Sequence, residues 1–311
     1  MRRVLLFFSL CLVMTGCVFE QLFPEITHRD LLFPMNNLLA TDSAHQRVYV
    51  FDFKDTAFAP QIDTLKIFTA DGQLHAKRTF PNGSPYRGIA PNPSDVNSML
   101  AITRDGDLDT LDDQGNTLAS IDFVPMGGGR VEGFVEICDL DTHLGTGHAF
   151  VSGLWHHPST GPVATVVRVN LDDPTDTQRI QLPWNDDVCA VVSVNDNTPQ
   201  EEFVAGMLGG EKIFHVREGV IISHHTLSGI RLMDVAAAGT DVVVGDGAGK
   251  AVLTVSLDTG AIMDTLPDAL GVALDRPYVL PTDTQVDLWM AGFMFEGIWA
   301  DYRGFRIRLG M

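Results

Sequence analysis

The feature that most constrains this chain is a tight turn that returns at a nearly fixed interval. TADGQL turns at Gly72, DDQGNT at Gly115, LDDPTD at Pro174, VREGVI at Gly219, LDTGAI at Gly260 and DYRGFR at Gly304. Successive turns are 43, 59, 45, 41 and 44 residues apart. Glycine supplies the positive φ that such turns demand, and Asp, Asn and Pro suit their flanks. Between the turns lie short runs such as RVYVFDF (47–53), VATVVRVNL (163–171) and FRIRLG (305–310). Val167, Val169 and Leu171 share one face of their run, with Arg168 and Asn170 on the other. A period of two is that of a strand, whose successive side chains leave opposite faces of the pleat.

Each period has room for four strands. One reads VCAVVSV (188–194), EEFVAGML (201–208), KIFHV (212–216) and GVIISHHTL (219–227); the next runs from 230 to 266. The inner runs are apolar on both faces and the outer ones alternate, as expected where inner strands are sandwiched and an outer edge meets water. A four-stranded unit of about 40–45 residues is the blade of a β-propeller. The fold class expected is therefore all-β: a β-propeller with four antiparallel strands per blade. Six blades are counted over residues 36–311, or seven if the 59-residue interval hides one. Two stacked β-sandwiches are the rival, and they predict less regular spacing. A ring left open would expose sheet edges, and Asp30–Pro34 (DLLFP) is placed to add a strand beside FRIRLG.

Two local resemblances add to this. The stretch LLATDSAHQRVYVFDF (38–53) resembles the core of bacterial propeller repeats of the YVTN and NHL kind, which implies architecture and no activity. At the start of the chain, Arg2 and Arg3 precede an 11-residue run from Val4 to Met14 that only Ser9 interrupts. As a helix that run would span about 17 Å, too short for the ~30 Å hydrocarbon core, and it has the proportions of a secretory h-region. Met14-Thr15-Gly16-Cys17 follows and resembles the lipobox of bacterial lipoproteins. The resemblance implies cleavage before Cys17 and acylation of that residue, with palmitate-type chains anchoring the protein. It divides the chain into a signal peptide (1–16), a lipidated tether with the closing strand (17–35) and the propeller (36–311). Met14 departs from the usual Leu. Val18 stands where an Asp would signal retention at the inner membrane, which implies the outer membrane of a bacterial cell envelope.

Charge narrows the partners. The chain carries 40 Asp+Glu against 21 Lys+Arg, a net charge of −19, and removal of residues 1–16 takes away Arg2 and Arg3 without removing an acid. A nucleic-acid reader needs a basic footprint, so nucleic acid is excluded as a partner. Anionic lipid phosphates would be repelled as well. An envelope protein or a neutral glycan fits this charge, with the membrane engaged through lipid alone.

Catalytic signatures are sparse. There is no Walker A, no G-x-S-x-G and no H-E-x-x-H. Asp105-Gly106-Asp107-Leu108-Asp109 opens like a calcium loop, but Thr110 and Asn116 stand where Gly and Glu are required; a solvated strand face accounts for Asp107 and Asp109. His143 and His148 flank a Gly-rich loop, where Asp141 could join them as a metal ligand, although the spacing fits no zinc pattern. His224 and His225 are adjacent on an outer strand and point oppositely. Trp155, His156 and His157 are the candidate ligand-contacting patch, an aromatic beside two imidazoles at a strand end. Cys138 and Cys189 occupy equivalent first strands, VEICDL and DDVCAV, and are read either as a bridge or as two buried thiols.

Two functions of different class follow. The first is a lipid-anchored, non-catalytic binding or scaffold module that engages a protein partner. The second is a metal-dependent hydrolase similar to gluconolactonase-like propellers, with one divalent metal in a central channel. Its metal-ligand candidates are Glu136, Asp187 and Asp234, which come from three consecutive units. No cofactor is otherwise implied.

Overall fold

The computed structural model describes residues 26–34, 37–42, 46–54, 62–69, 72–81, 85–128, 131–183, 188–195, 198–207, 209–238, 241–247, 251–266, 273–281, 285–296 and 299–310. Of 26–34, 37–39, 41–42, 51–54, 62–63, 188–189, 233, 238, 266, 273–281, 285–296 and 299–310 it is the backbone alone that is described. Cys17, with the signal peptide and most of the tether, lies outside the described residues, as does Asp187.

All named elements are strands. Five four-stranded antiparallel sheets follow one another, each cut from consecutive chain. The first holds β2 (Asn37–Asp42), β3 (Arg47–Lys54), β4 (Ile62–Thr69) and β5 (Leu74–Phe80). The second holds β6 (Tyr86–Pro91), β7 (Met99–Thr103), β8 (Asp107–Leu111) and β9 (Thr117–Asp122). The third holds β10 (Gly133–His143), β11 (His148–His157), β12 (Gly161–Asn170) and β13 (Thr177–Gln181). The fourth holds β14 (Val188–Ser193), β15 (Glu202–Met207), β16 (Lys212–Arg217) and β17 (Val220–Thr226). The fifth holds β18 (Leu232–Ala238), β19 (Asp241–Asp246), β20 (Ala251–Ser256) and β21 (Ile262–Leu266).

The remaining sheet is composite. β22 (Ala273–Pro281), β23 (Gln285–Glu296) and β24 (Trp299–Gly310) are completed by the N-terminal β1 (Ile26–Pro34). β1 pairs antiparallel with β24, placing Arg29 opposite Ile307 and Leu31 opposite Phe305. β22 lies against β18 and β19 on one side and β2 on the other. The sheet that joins the two chain ends therefore stands between the fifth unit and the first.

This corrects the expected count. Five blades are built of four consecutive strands, not six or seven, because only three strands remain after β21 and the closing sheet must borrow its fourth. No extra blade hides in the long interval either. The added length goes into strands of 10 and 11 residues (β10–β12) and into the segment between β9 and β10. That segment folds back on β10: Gly127 N donates to Phe134 O (2.7 Å) and Phe134 N to Pro125 O (2.8 Å).

Burial follows position within a blade. All five residues of β7 and all six of β15 are buried, whereas β17 alternates between exposed and half-buried. The cores lie between sheets: Phe150, Val166, Phe203, Phe214 and Val216 form one cluster across the third and fourth blades. Every first strand also carries a bulge, at Leu38/Ala40, Tyr86/Gly88, Ile137/Asp139, Val188/Ala190, Leu232/Asp234 and Asp275/Pro277. A bulge adds local twist, and here it recurs where the first strands of neighbouring sheets meet. At one such meeting Gly88 abuts the backbone of β10. A methyl group at Gly88 would lie 2.9 Å from Leu140 Cβ and 3.1 Å from the Asp139 carbonyl carbon, with Leu140 N nearer still.

Candidate functional site

The seams between blades hold most of the buried polar chemistry. Asp139, 6% exposed, follows the bulge of β10. Its Oδ1 accepts from Leu140 N at 2.9 Å and its Oδ2 from Val191 N on β14 at 3.1 Å. Two residues on, Asp141 Oδ2 accepts from Ser193 N at 2.5 Å. On the other side of β10, Thr142 Oγ1 donates to Pro91 O of β6 at 2.7 Å. One strand thus stitches both neighbours, and Asp141 is committed to a backbone bond in the seam.

A second kind of stitch recurs at the rim. Outer-strand side chains rest on the third-to-fourth-strand turn of the next blade. Arg78 Nη1 on β5 donates to Gly115 O (2.6 Å) and Thr117 Oγ1 (3.1 Å). His225 Nε2 on β17 donates to Leu257 O at 2.8 Å. Gln178 on β13 covers Gly219, where an added methyl would meet its Oε1 at 2.6 Å. Gly219 has φ +73°, a conformation that favours glycine, whereas the Gln178 amide could swing aside.

The most elaborate seam joins the third and fourth blades. Glu201 precedes β15 with its side chain 6% exposed. Its Oε2 faces His148 Nδ1 at 2.8 Å and Arg168 Nε at 2.9 Å. Arg168 also donates through Nη2 to His148 Nε2 (3.0 Å) and through Nη1 to Gln178 Oε1 (3.1 Å). Thr146 Oγ1 lies 3.0 Å from His148 Nδ1 and 3.1 Å from Nδ1 of fully buried His143. Burial raises the pKa of Glu201, and the charges of Glu218 and Asp176 add to this against Arg168. Burial lowers that of His148, with Arg168 acting in the same sense. The next residue, Glu202, turns the other way. Burial disfavours its carboxylate, but Asn195, Arg217 and His215 outweigh burial and hold its pKa below the ordinary value. Asn195 Nδ2 donates to Glu202 Oε2 at 2.8 Å and Arg217 Nε to Oε1.

The residues singled out in the sequence are dispersed. Trp155 is 8% exposed and packs edge-to-face on Phe134, with centroids 5.1 Å apart. Its Nε1 donates to Glu132 Oε1 at 3.1 Å, and Arg179, which also bonds Glu132, lies over its ring at 5.5 Å. His156 and His157 are half-buried beside it, and His157 Nδ1 is 2.7 Å from Ser159 Oγ. The accessible part of this patch is thus Glu132 and Arg179 with two imidazoles, the indole serving as its floor. Glu136 is exposed on β10, whereas Asp234 is 2% exposed on β18 and accepts from Val235 N at 2.8 Å. Asp187, the third of these carboxylates, lies outside the described residues. Among the described residues, no group of three or more His, Cys, Asp or Glu converges as a metal site. Cys138 is buried, and the Cys189 side chain lies outside the described residues.

Asp109 differs from the sequence expectation. It is buried, and its Oδ2 accepts from Tyr86 OH at 2.8 Å and from Thr117 Oγ1 at 3.3 Å. Burial, with Asp109 adding to it, pushes the Tyr86 pKa up to about 12. The calcium-like stretch therefore supplies a fold contact instead of a solvated face. Sequence reasoning also missed Glu201, Arg168 and Asp139. The signal for the first was a charged pair, Glu201-Glu202, opening an otherwise apolar run.

The sequence matches no described protein family and no curated protein. Solved structures do resemble the fold. U3-55K aligns over 92% of this chain and 99% of its own at TM-score 0.57 and 11% identity. The WD40 repeats of RRP9 align over 90% and 97% at 0.56 and 12%. A chain of a nidogen/laminin complex aligns over 74% and 78% at 0.52 and 14%. The chain is a β-propeller. At these identities the likeness extends to the fold and no further.

Proposed function

We propose that this protein is a bacterial envelope lipoprotein, anchored at the outer membrane through lipidated Cys17, whose propeller is a non-catalytic binding module for an envelope protein. The anchor reading is supported by the h-region and the Cys17 context, and the YVTN/NHL-like core fits a bacterial repeat protein. One similar fold comes from a complex of nidogen with laminin, a precedent of fold class only.

The observation that carries the binding reading is the fixing of the turns. Arg78 and His225 each hydrogen-bond a turn of the next blade, and the Gln178 side chain lies over a third. A face made of pinned turns is preorganised, which lowers the ordering cost of docking. The third-to-fourth-strand turns are acidic: Asp113, Asp172, Asp173, Asp176, Glu218 and Asp258 are exposed in them. Lipid attachment would raise the effective concentration of such a face toward membrane-bound partners.

The test has two arms. Cys17→Ser leaves the full-length product in the soluble fraction; a variant that still pellets with membranes after a salt wash refutes the anchor. Asp172→Lys combined with Asp173→Lys removes the partner that the wild type retains on cross-linking in intact envelopes. An unchanged set of cross-linked partners refutes the acidic face as the docking surface.

A further inference from the structure

The seam between the third and fourth blades contains an arrangement that fixes the state of one proton. A guanidinium only donates hydrogen bonds. Because Arg168 Nη2 donates to His148 Nε2 at 3.0 Å, that nitrogen must hold a lone pair. The imidazole is therefore neutral, its hydrogen sits on Nδ1, and Nδ1 faces Glu201 Oε2 at 2.8 Å. A proton added at Nε2 would point at a cation. The bond from Arg168 would be lost, and Arg168 would have to withdraw from the imidazole, straining its pairing with Glu201.

We infer that His148, Arg168 and Glu201 form a proton-operated latch between the third and fourth blades, closed when His148 is neutral and released when His148 Nε2 takes up a proton. The groups concerned come from several elements. Arg168 is on β12, Gln178 on β13, Thr146 in the β10–β11 turn, His143 at the end of β10, Glu201 ahead of β15, Asp176 in the β12–β13 turn and Glu218 in the β16–β17 turn. Asp176 and Glu218 favour the imidazolium; burial, Arg168 and His143 oppose it, and opposition prevails. The released state has an ordinary histidine, so opening gains as pH falls below about 6.5. Glu201 acts in the opposite sense. Its raised pKa lets the closed state take up a proton more readily than the open one, so at lower pH it offsets the release. The latch therefore works in the mildly acidic range, and it acts on the 143–148 turn at a disc face.

The test uses the full-length chain. Imidazole nitrogen shifts at pH 7.5 are expected to show His148 as the Nδ1–H tautomer, titrating below 6.5. Between pH 7.5 and 5.5, amides of the 143–148 turn should lose protection, after correction for intrinsic exchange, by up to about tenfold per unit of lowering, while β18–β21 stay unchanged. His148→Gln should abolish this pH dependence. If that variant fails to fold, Arg168→Gln serves instead and should raise the His148 pKa. An Nε2–H tautomer, titration at or above 6.5, or exchange in 143–148 that does not vary with pH overturns the proposal.

Discussion

Replacing Gly88 by alanine tests the tightness of the contact between first strands. The added methyl would approach Leu140 Cβ to 2.9 Å and the Asp139 carbonyl carbon to 3.1 Å. Carbon atoms ordinarily rest about 3.5–4.0 Å apart. The obstacle is backbone, so it cannot rotate aside, and β6 and β10 must part by roughly 1 Å at a place where Asp139 ties β10 to the next blade. Overpacking costs about 1–3 kcal/mol, and a backbone obstacle places this case near ~3 kcal/mol. With an unfolding entropy of about 2.1 cal/mol/K per residue, roughly 270 folded residues give about 0.57 kcal/mol/K, so Tm falls by about 5 °C. Gly229→Ala is the control: φ is +82° and no atom lies within 4 Å, so the change tests backbone strain alone at about 1–2 kcal/mol. Denaturant melts of both variants give the comparison. A Gly88→Ala protein within 0.5 kcal/mol of wild type, about the scatter of a neutral surface change, refutes the close approach.

Other consequences are simpler to state. Asp139→Ala leaves the amides of Leu140 and Val191 without their acceptor; a loss of about 3 kcal/mol is expected, read from denaturant midpoints, and a loss under 1 kcal/mol would contradict the stitch. Arg78→Ala frees the turn at Gly115, so exchange of amides 112–117 should rise in that variant and nowhere in the fourth blade. Tyr86 has its pKa raised to about 12, so its contribution is fully present below pH 10 and is lost as pH rises through 12. An absorbance titration should show a tyrosinate step near 12 that disappears in Tyr86→Phe. His215 has its pKa lowered, first by burial, although Glu202 opposes this. Its share of stability should decline as pH drops below about 6.5, and His215→Gln should flatten that part of the profile.

The strands and turns were legible because their signals are local. The four runs read between 188 and 227 coincide with β14–β17, since alternation and glycine turns need no tertiary partner. Blade count was not, because it depends on which sheet the last strands join. Pairing of Asp30–Pro34 with FRIRLG was anticipated and is found in β1 on β24, but the sequence pattern did not show that the closing sheet has three C-terminal strands and not four. Bulges were hidden too: an extra residue such as Met233 interrupts the period of two, and a sequence reader takes it for a weak strand. Trp155 and Asp109 show the limit for sites. Residue type suggested a stacking surface and a hydrated carboxylate, but edge-to-face packing on Phe134 and the bond from Tyr86 come from neighbours distant in sequence.

Closure of the disc by its two chain ends is the claim on which the rest stands, and cysteine cross-linking reads it directly. Leu31 is opposite Phe305 in the β1–β24 register. A Leu31→Cys, Phe305→Cys protein should form a disulfide under mild oxidation and migrate as a closed loop, whereas Leu31→Cys with Leu309→Cys should not. Equal cross-linking of both pairs, or of neither, would contradict a ring shut by β1 on β24.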